Sequence, residues 1–329
     1  MKASVVVRPG KAAGREGRVG VVLMTYGSPA KLDDIPAYLK KVRGGRDPDD
    51  ALVTEFRRRY TLIGGSPLLR ITIEQAAALE AELNQEDGGR TYRATAGMRF
   101  FPPLIAEAVS EAATGAAEVV GVIMSPQYSP IIMGGYLQEI QRGVTDLRRA
   151  DLKLSVAGDW HLQPYFLRAL AEKITQALDR FPREARDRVP VLMTAHSMPK
   201  RVVEKEQDYI DHLKDTAAAV ARLAGLPVER WSFCYQSAGH TPEEWLKPDF
   251  ADVMPDLYAA GHRNVLVAPV QFLADHLEIL YDLDIAARAQ AEAAGLEFSR
   301  IRSLNASPLL IKALASVVRE TLAGGPRKA

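Results

Sequence analysis

Cysteine is almost absent from this 329-residue chain, Cys234 being the single one. One thiol excludes an intrachain disulfide, a cysteine-rich zinc site and a cysteine-ligated iron–sulfur cluster within one chain. Between Phe233 and Tyr235 it reads as a small buried hydrophobe. An excess of either charge is also missing. Lys and Arg number 42 against 41 Asp and Glu, a net charge of +1, which offers no electrostatic grip on nucleic acid or an anionic membrane. Long apolar runs are lacking too. The longest uncharged stretch, 119–138, is interrupted by Pro126, Pro130, Gly134 and Gly135, so a strand and loop are expected there, with no membrane span. Residues 1–18 carry Lys2, Arg8, Lys11, Arg15 and Arg18 without an apolar stretch that could serve a secretory leader. They are expected to form a disordered tail, and the protein to be cytoplasmic.

Motif absences narrow the chemistry further. The chain contains no GxGxxG, no GxxxxGK[ST], no GxSxG elbow and no HExxH pair, so dehydrogenase, kinase and hydrolase readings lack their parts. What is present is an ordinary globular composition, 47% apolar and 25% charged, in a length that suits two domains.

Regular structure is expected from Val19, where a continuous apolar run to Met24 reads as a strand buried in a parallel sheet. Helices are expected over 33–43, 48–60, 70–84, 102–114 and 135–149, with strands over 92–97, 118–124 and 152–158. The second half restarts the alternation: helices over 164–180, 204–223, 248–260, 275–292 and 307–323, strands over 189–194, 230–235, 263–269 and 297–301. Strands alternating with helices predict an α/β fold of parallel sheets flanked by helices. The halves echo each other. Val22 to Pro29 is similar to Val191 to Pro199, and Val122 to Gln127 to Val267 to Gln271. A shared topology would bring Tyr26, His196, Tyr128 and segment 273–284 to one crevice, beyond the carboxyl ends of the strands.

Two segments carry acid–base and metal-binding potential. In a helix, Asp275, Glu278 and Asp282 would share one face, where carboxylates repel unless cations or water satisfy them. His196 closes an apolar strand and precedes Ser197-Met198-Pro199. An imidazole facing carboxylates could hold a divalent metal and accept protons. Taken alone, the row also suits a solvated helix face, and His196 a structural histidine. His276 is expected to point off the acidic face in a supporting role. Arg43, Arg46, Arg57, Arg58, Arg59 and Tyr60 form a basic set, mostly solvated surface; any arginine facing a cleft would suit ligand carboxylates.

In order along the chain stand Met24 to Pro29, Arg59 to Leu68, Gly97-Met98-Arg99, Ser125 to Ser129, Thr194 to Pro199, Tyr235-Gln236-Ser237, Trp245 to Asp249, and Asp275 to Asp282. Together they resemble the ferrochelatase family over nearly all of 19–323. The resemblance implies two Rossmann-like, chelatase-type domains around a porphyrin cleft, residues 19–160 and 161–305, with a C-terminal helix in 306–329 packing back on the first. It implies insertion of ferrous iron into a porphyrin by a monomer with no tightly bound cofactor and no iron–sulfur cluster, and a downstream heme-pathway enzyme as partner. His196 and Glu278 match the family's metal-handling pair, with Asp282 further along the metal route. Arg43, Arg59, Tyr60, Ser66 and Tyr136 match positions that hold porphyrin carboxylates and edges. Tyr26 matches a tyrosine that ligates product iron opposite His196, which looks like the coproporphyrin III enzymes of Gram-positive lineages. A protoporphyrin IX ferrochelatase and a non-catalytic porphyrin or metal carrier are the alternatives. The chain departs from its relatives at Ala286, where the acidic row often continues, at Phe100, where some carry histidine, and at Tyr235, commonly tryptophan.

Overall fold

The computed structural model describes residues 17–86, 89–127, 129–204, 206–239 and 243–324. Most of the expected tail and the position of Tyr128 lie outside these residues. Gly17 and Arg18 are the exceptions, and Arg18 already belongs to the first strand, paired with Thr91.

The first half builds a parallel sheet from β1 (Arg18–Thr25), β2 (Thr91–Met98), β3 (Glu118–Ile123) and β4 (Lys153–Val156), in the order β2-β1-β3-β4. The second half repeats this order with β5 (Val191–His196), β6 (Trp231–Gln236), β7 (Asn264–Pro269) and β8 (Glu297–Arg300), arranged β6-β5-β7-β8. The similar segments noted in the sequence thus follow equivalent strands, β1 with β5 and β3 with β7. Helices flank both sheets, and the central strands are buried along their length, which is why they read as unbroken apolar runs. Gly20 in β1 serves helix packing: a Cβ there would lie 2.5 Å from the Ala112 carbonyl oxygen. One apolar core passes from β1 and β3 through the helices Pro308–Leu322 and Pro164–Leu178 to β5 and β7. The last helix lies against β3, β4 and the helix Leu68–Glu86, all first-half elements.

Two expectations about helices are corrected. The helix expected over 135–149 runs from Pro130 to Asp146. Ser129 caps it by accepting from Ile132 N at 3.2 Å, and Pro130 takes the first helical position. Gly134 sits inside the helix instead of preceding it. Glu206, from the second half, accepts from Ile131 N at 2.6 Å and completes the cap.

The single helix expected over 275–292 is three short pieces: Leu277–Leu280, a π-helical stretch Asp282–Ala287, and Arg288–Ala293. Ala286 N bonds Tyr281 O at 2.9 Å, an i→i+5 contact that widens the turn. Asp275 therefore never joins an acidic helix face. It precedes the helix, and its carboxylate accepts from Ser303 Oγ at 2.6 Å, Asn305 Nδ2 at 2.9 Å and Arg300 Nη2 at 3.3 Å.

Candidate active site

His196 is the last residue of β5. Its backbone N–H donates to Gln271 Oε1 at 2.8 Å, which ties the strand end to the loop after β7. Its ring Nδ1 contacts the Ser197 carbonyl, which can only accept, so Nδ1 carries the hydrogen. The lone pair is left on Nε2, which faces Glu278 Oε2 at 3.7 Å. His276 is built the same way: Nδ1 donates to Ala274 O at 2.9 Å, and Nε2 lies 3.7 Å from the same Oε2. Glu278 is held by its backbone too, its carbonyl accepting from Gln236 Nε2 at 3.3 Å. Two imidazoles therefore converge on one carboxylate oxygen. The expectation that His276 points away is overturned, because the helix starts only at Leu277 and leaves His276 in an extended turn.

Electrostatics follow from this packing. Desolvation pushes the Glu278 carboxyl up, but the charges that His196 and His276 carry when protonated outweigh it and hold it at about 2. Burial lowers His276, but Glu278, the Ala274 carbonyl and Asp282 together outweigh it, for a net rise. Asp282, one turn beyond Glu278, moves the other way: burial raises it, Glu278 adds to the rise, and Ser237 and Arg59 oppose it. Its Oδ1 lies 3.8 Å from Arg59 Nη1.

The opposite wall comes from the first half. Tyr26 follows β1, is 43% exposed and packs at 4.5 Å between centroids on Phe100. Burial, with the charge of Glu278, pushes its phenol up to about 12 against the pull of Arg99. Tyr26, Tyr136 and His276 share the lining of a cavity of about 160 Å³ with Met24, Met124 and Phe272. Buried Tyr60 and Tyr136 are likewise raised by burial and feel the charge of Glu278. Arg59 stacks over the Tyr281 ring at 4.8 Å and bonds Glu55 at 2.7 Å. Ser66 accepts from Leu68 N at 3.4 Å at the start of its helix. Arg43 ends the helix Ile35–Val42, exposed, its carbonyl accepting from Arg46 Nε at 3.2 Å; among the described residues no contact ties it to the Glu278 cluster.

Arg99 was overlooked as a candidate. It follows β2 directly and lies 4.7 Å from the Phe100 centroid and 5.4 Å from that of Tyr136. Its guanidinium occupies the space beside Gly135, where a Cβ would come within 1.8 Å of Nη2. Its place just past a strand end was the available signal. For His276 no sequence signal existed, since its direction depends on where the helix begins.

The ferrochelatase family model matches residues 18–322. The chain belongs to the ferrochelatase family. It is 38% identical to a ferrochelatase from Herpetosiphon aurantiacus, over 92% of this chain and 98% of the relative. It is 36% identical to a coproporphyrin III ferrochelatase from Geobacillus kaustophilus, over 91% and 94%, and 32% identical to one from Bacillus subtilis, over 93% and 98%. Among solved structures, SirB from Bacillus subtilis with Fe3+ superposes with a TM-score of 0.56 at 14% identity, over 93% of this chain and 96% of that one. The siroheme-biosynthesis enzyme CbiX gives 0.55 at 13% identity, over 91% and 98%. These two likenesses establish the two-sheet chelatase fold. As a ferrochelatase the protein is a lyase of porphyrin and heme biosynthesis that inserts iron into a porphyrin. Among the described residues no helix is long and apolar enough to cross a membrane.

Proposed function

We propose that the porphyrin is coproporphyrin III and that the product is its iron complex, coproheme. The observation that carries the chemical reading is His196 Nε2, its tautomer set by Ser197 O, facing Glu278 Oε2 at 3.7 Å in an open-sided crevice. Metalation forms iron–nitrogen bonds as two pyrrole N–H bonds break, so two protons must leave the ring. The Nε2 lone pair of His196 accepts a pyrrole proton; an imidazole does this readily near neutral pH. Glu278, held anionic by two histidines, draws in the ferrous ion through oxygen. Asp282, one turn beyond Glu278 and raised by burial, is assigned the outward proton path. Bending the macrocycle in the crevice exposes the nitrogen lone pairs, with binding energy from the ring periphery supplying the strain.

Substrate choice rests on the first-half wall. Tyr26 offers a phenol oxygen to product iron from the face opposite His196. Coproporphyrin carries four carboxylates where protoporphyrin carries two, and Arg43, Arg59, Tyr60, Ser66, Tyr136 and Arg99 are the groups assigned to them. The Geobacillus and Bacillus relatives bear the coproporphyrin name. In this reading the enzyme works in the cytoplasm as a monomer with no resident cofactor and no iron–sulfur cluster, and hands coproheme to a downstream heme-pathway enzyme. An anaerobic assay with Fe2+ and both porphyrins tests it. At least tenfold higher kcat/KM for coproporphyrin III is expected; equal or better turnover of protoporphyrin IX overturns the assignment.

A further inference from the structure

The crossover from β4 to the helix Pro164–Leu178 carries Asp159 and His161 and runs beside the helix Gln207–Leu223, which carries His212. His161 and His212 are 6% and 9% exposed, and their rings stack with centroids 3.8 Å apart and 16° between planes. One ligand atom from each of Asp159, His161 and His212 lies within 4.8 Å of the others. None of the three lines the cavity between Tyr26 and His276.

Three details go beyond packing. His161 Nδ1 is sealed from solvent and has no hydrogen-bond partner among the described residues, although Asp159 Oδ2 is 3.3 Å away. That spacing matches the edge of a tetrahedron whose metal–ligand bonds are about 2.0–2.1 Å. His161 also stacks on His212, which brings a second buried imidazole to the same place. Gln127 Oε1 is also buried without a hydrogen-bond partner among the described residues. Its amide donates to Thr216 Oγ1 at 3.1 Å, and that hydroxyl donates to His212 O at 2.8 Å. Gln127 thus reaches the helix one turn beyond His212.

We propose that Asp159, His161 and His212 form a second divalent-cation site, distinct from the Glu278 centre, for an ion of the zinc type. Two imidazoles and one carboxylate are a nitrogen-rich set that favours Zn2+ over Mg2+ or Ca2+. Water completes the coordination. Rotation of the His212 ring out of its stack closes the remaining edge. An ion here clamps the crossover between the sheets to the helix that follows Glu206, the residue that caps Pro130–Asp146, so its role is to brace the two halves.

The test uses the full chain with His196→Ala and Glu278→Gln, so that the central site is silent. Metal-free protein is titrated with Zn2+ alone and, in parallel, with Co2+ alone. One ion per chain, an intense tetrahedral Co2+ absorption in the visible and a higher Tm with Zn2+ are expected. His161→Gln or His212→Gln should each weaken binding at least 100-fold and abolish the Tm shift, while the metal-free Tm stays close to that of the parent. Asp159→Asn, on the half-exposed side, should weaken it about tenfold and serves if a histidine variant does not fold. Absence of bound Zn2+ in the silent-centre protein, or unchanged binding in these variants, overturns the proposal and leaves a stacked histidine pair that only packs.

Discussion

His196 Nε2 and Glu278 Oε2 face each other at 3.7 Å, one from the end of β5 and the other from the helix Leu277–Leu280. The gap is too long for a hydrogen bond and too short for the charges to be independent. A proton or a metal ion entering from the crevice meets both atoms at once. Replacing His196 with alanine should therefore lower the metalation rate by more than tenfold, above ~1.4 kcal/mol in barrier. Porphyrin affinity, followed by fluorescence quenching, should change by less than about threefold. A variant that keeps more than a tenth of the rate removes His196 from the reaction.

Glu278→Gln keeps the shape and deletes the charge that gathers two histidines. It should raise the KM for Fe2+ more than the KM for porphyrin, and lower kcat. Asp282→Asn should act in the same direction more weakly, because Arg59 and Ser237 already engage that carboxylate. Steady-state kinetics with metal and porphyrin varied separately check this. If both variants behave like the parent, the acidic residues serve only as solvated surface.

Tyr26 holds its proton in the free enzyme, with its phenol pushed up to about 12 by burial first and Glu278 second. Phenolate absorption from this residue should thus be missing in the free protein at pH 9 and a tyrosinate–iron band should arise only with the ferric product complex. Tyr26→Leu should lose that band. A product spectrum identical in the variant and the parent would exclude Tyr26 as a ligand.

Gly135→Ala tests Arg99 without touching it. Alanine favours a helix interior over glycine by about 1 kcal/mol, and the three atoms nearest the new Cβ all belong to the movable Arg99 guanidinium. Tm should hold or rise, while porphyrin affinity falls about tenfold or more through a displaced charge-assisted bond of roughly 1.5–3 kcal/mol. Unchanged affinity, measured beside Arg99→Ala, would free Arg99 from any substrate role.

The His276–Glu278 pair predicts a pH window in the metal-free protein. His276 sits above its usual 6.5, so its contribution is full below 6.5 and fades as pH rises through the raised value. Glu278 sits at about 2, so its contribution is present above its usual 4.5 and is lost as pH falls toward 2. The pair is complete between 4.5 and 6.5. There, His276→Gln should lower Tm by about 1–2 °C, a small effect because Glu278 is more than a third exposed. The difference should shrink toward pH 9. A Tm difference that is flat across this range would show that the pair adds no stability.

Local sequence determined the parallel sheets, because a strand buried on both faces must be largely apolar, and β1, β3, β5 and β7 are so apart from their end residues and Thr194. The position of His196 was legible for the same reason: a polar residue ending such a run stands at the carboxyl edge where crevices form. Helix boundaries near the site were not legible. Ser129-Pro130 outcompeted Gly134-Gly135 as the start of one helix, and the π-helical turn at Asp282–Ala287 broke the 3.6-residue spacing assumed for another. Asp275 therefore pairs with Arg300, Ser303 and Asn305, while His276, one residue on, turns to Glu278. Which of two adjacent polar residues faces the crevice depends on where the backbone begins to coil. That is decided by contacts from residues far along the chain, among them Arg300, Asn305 and Gln236, and no local pattern encodes them.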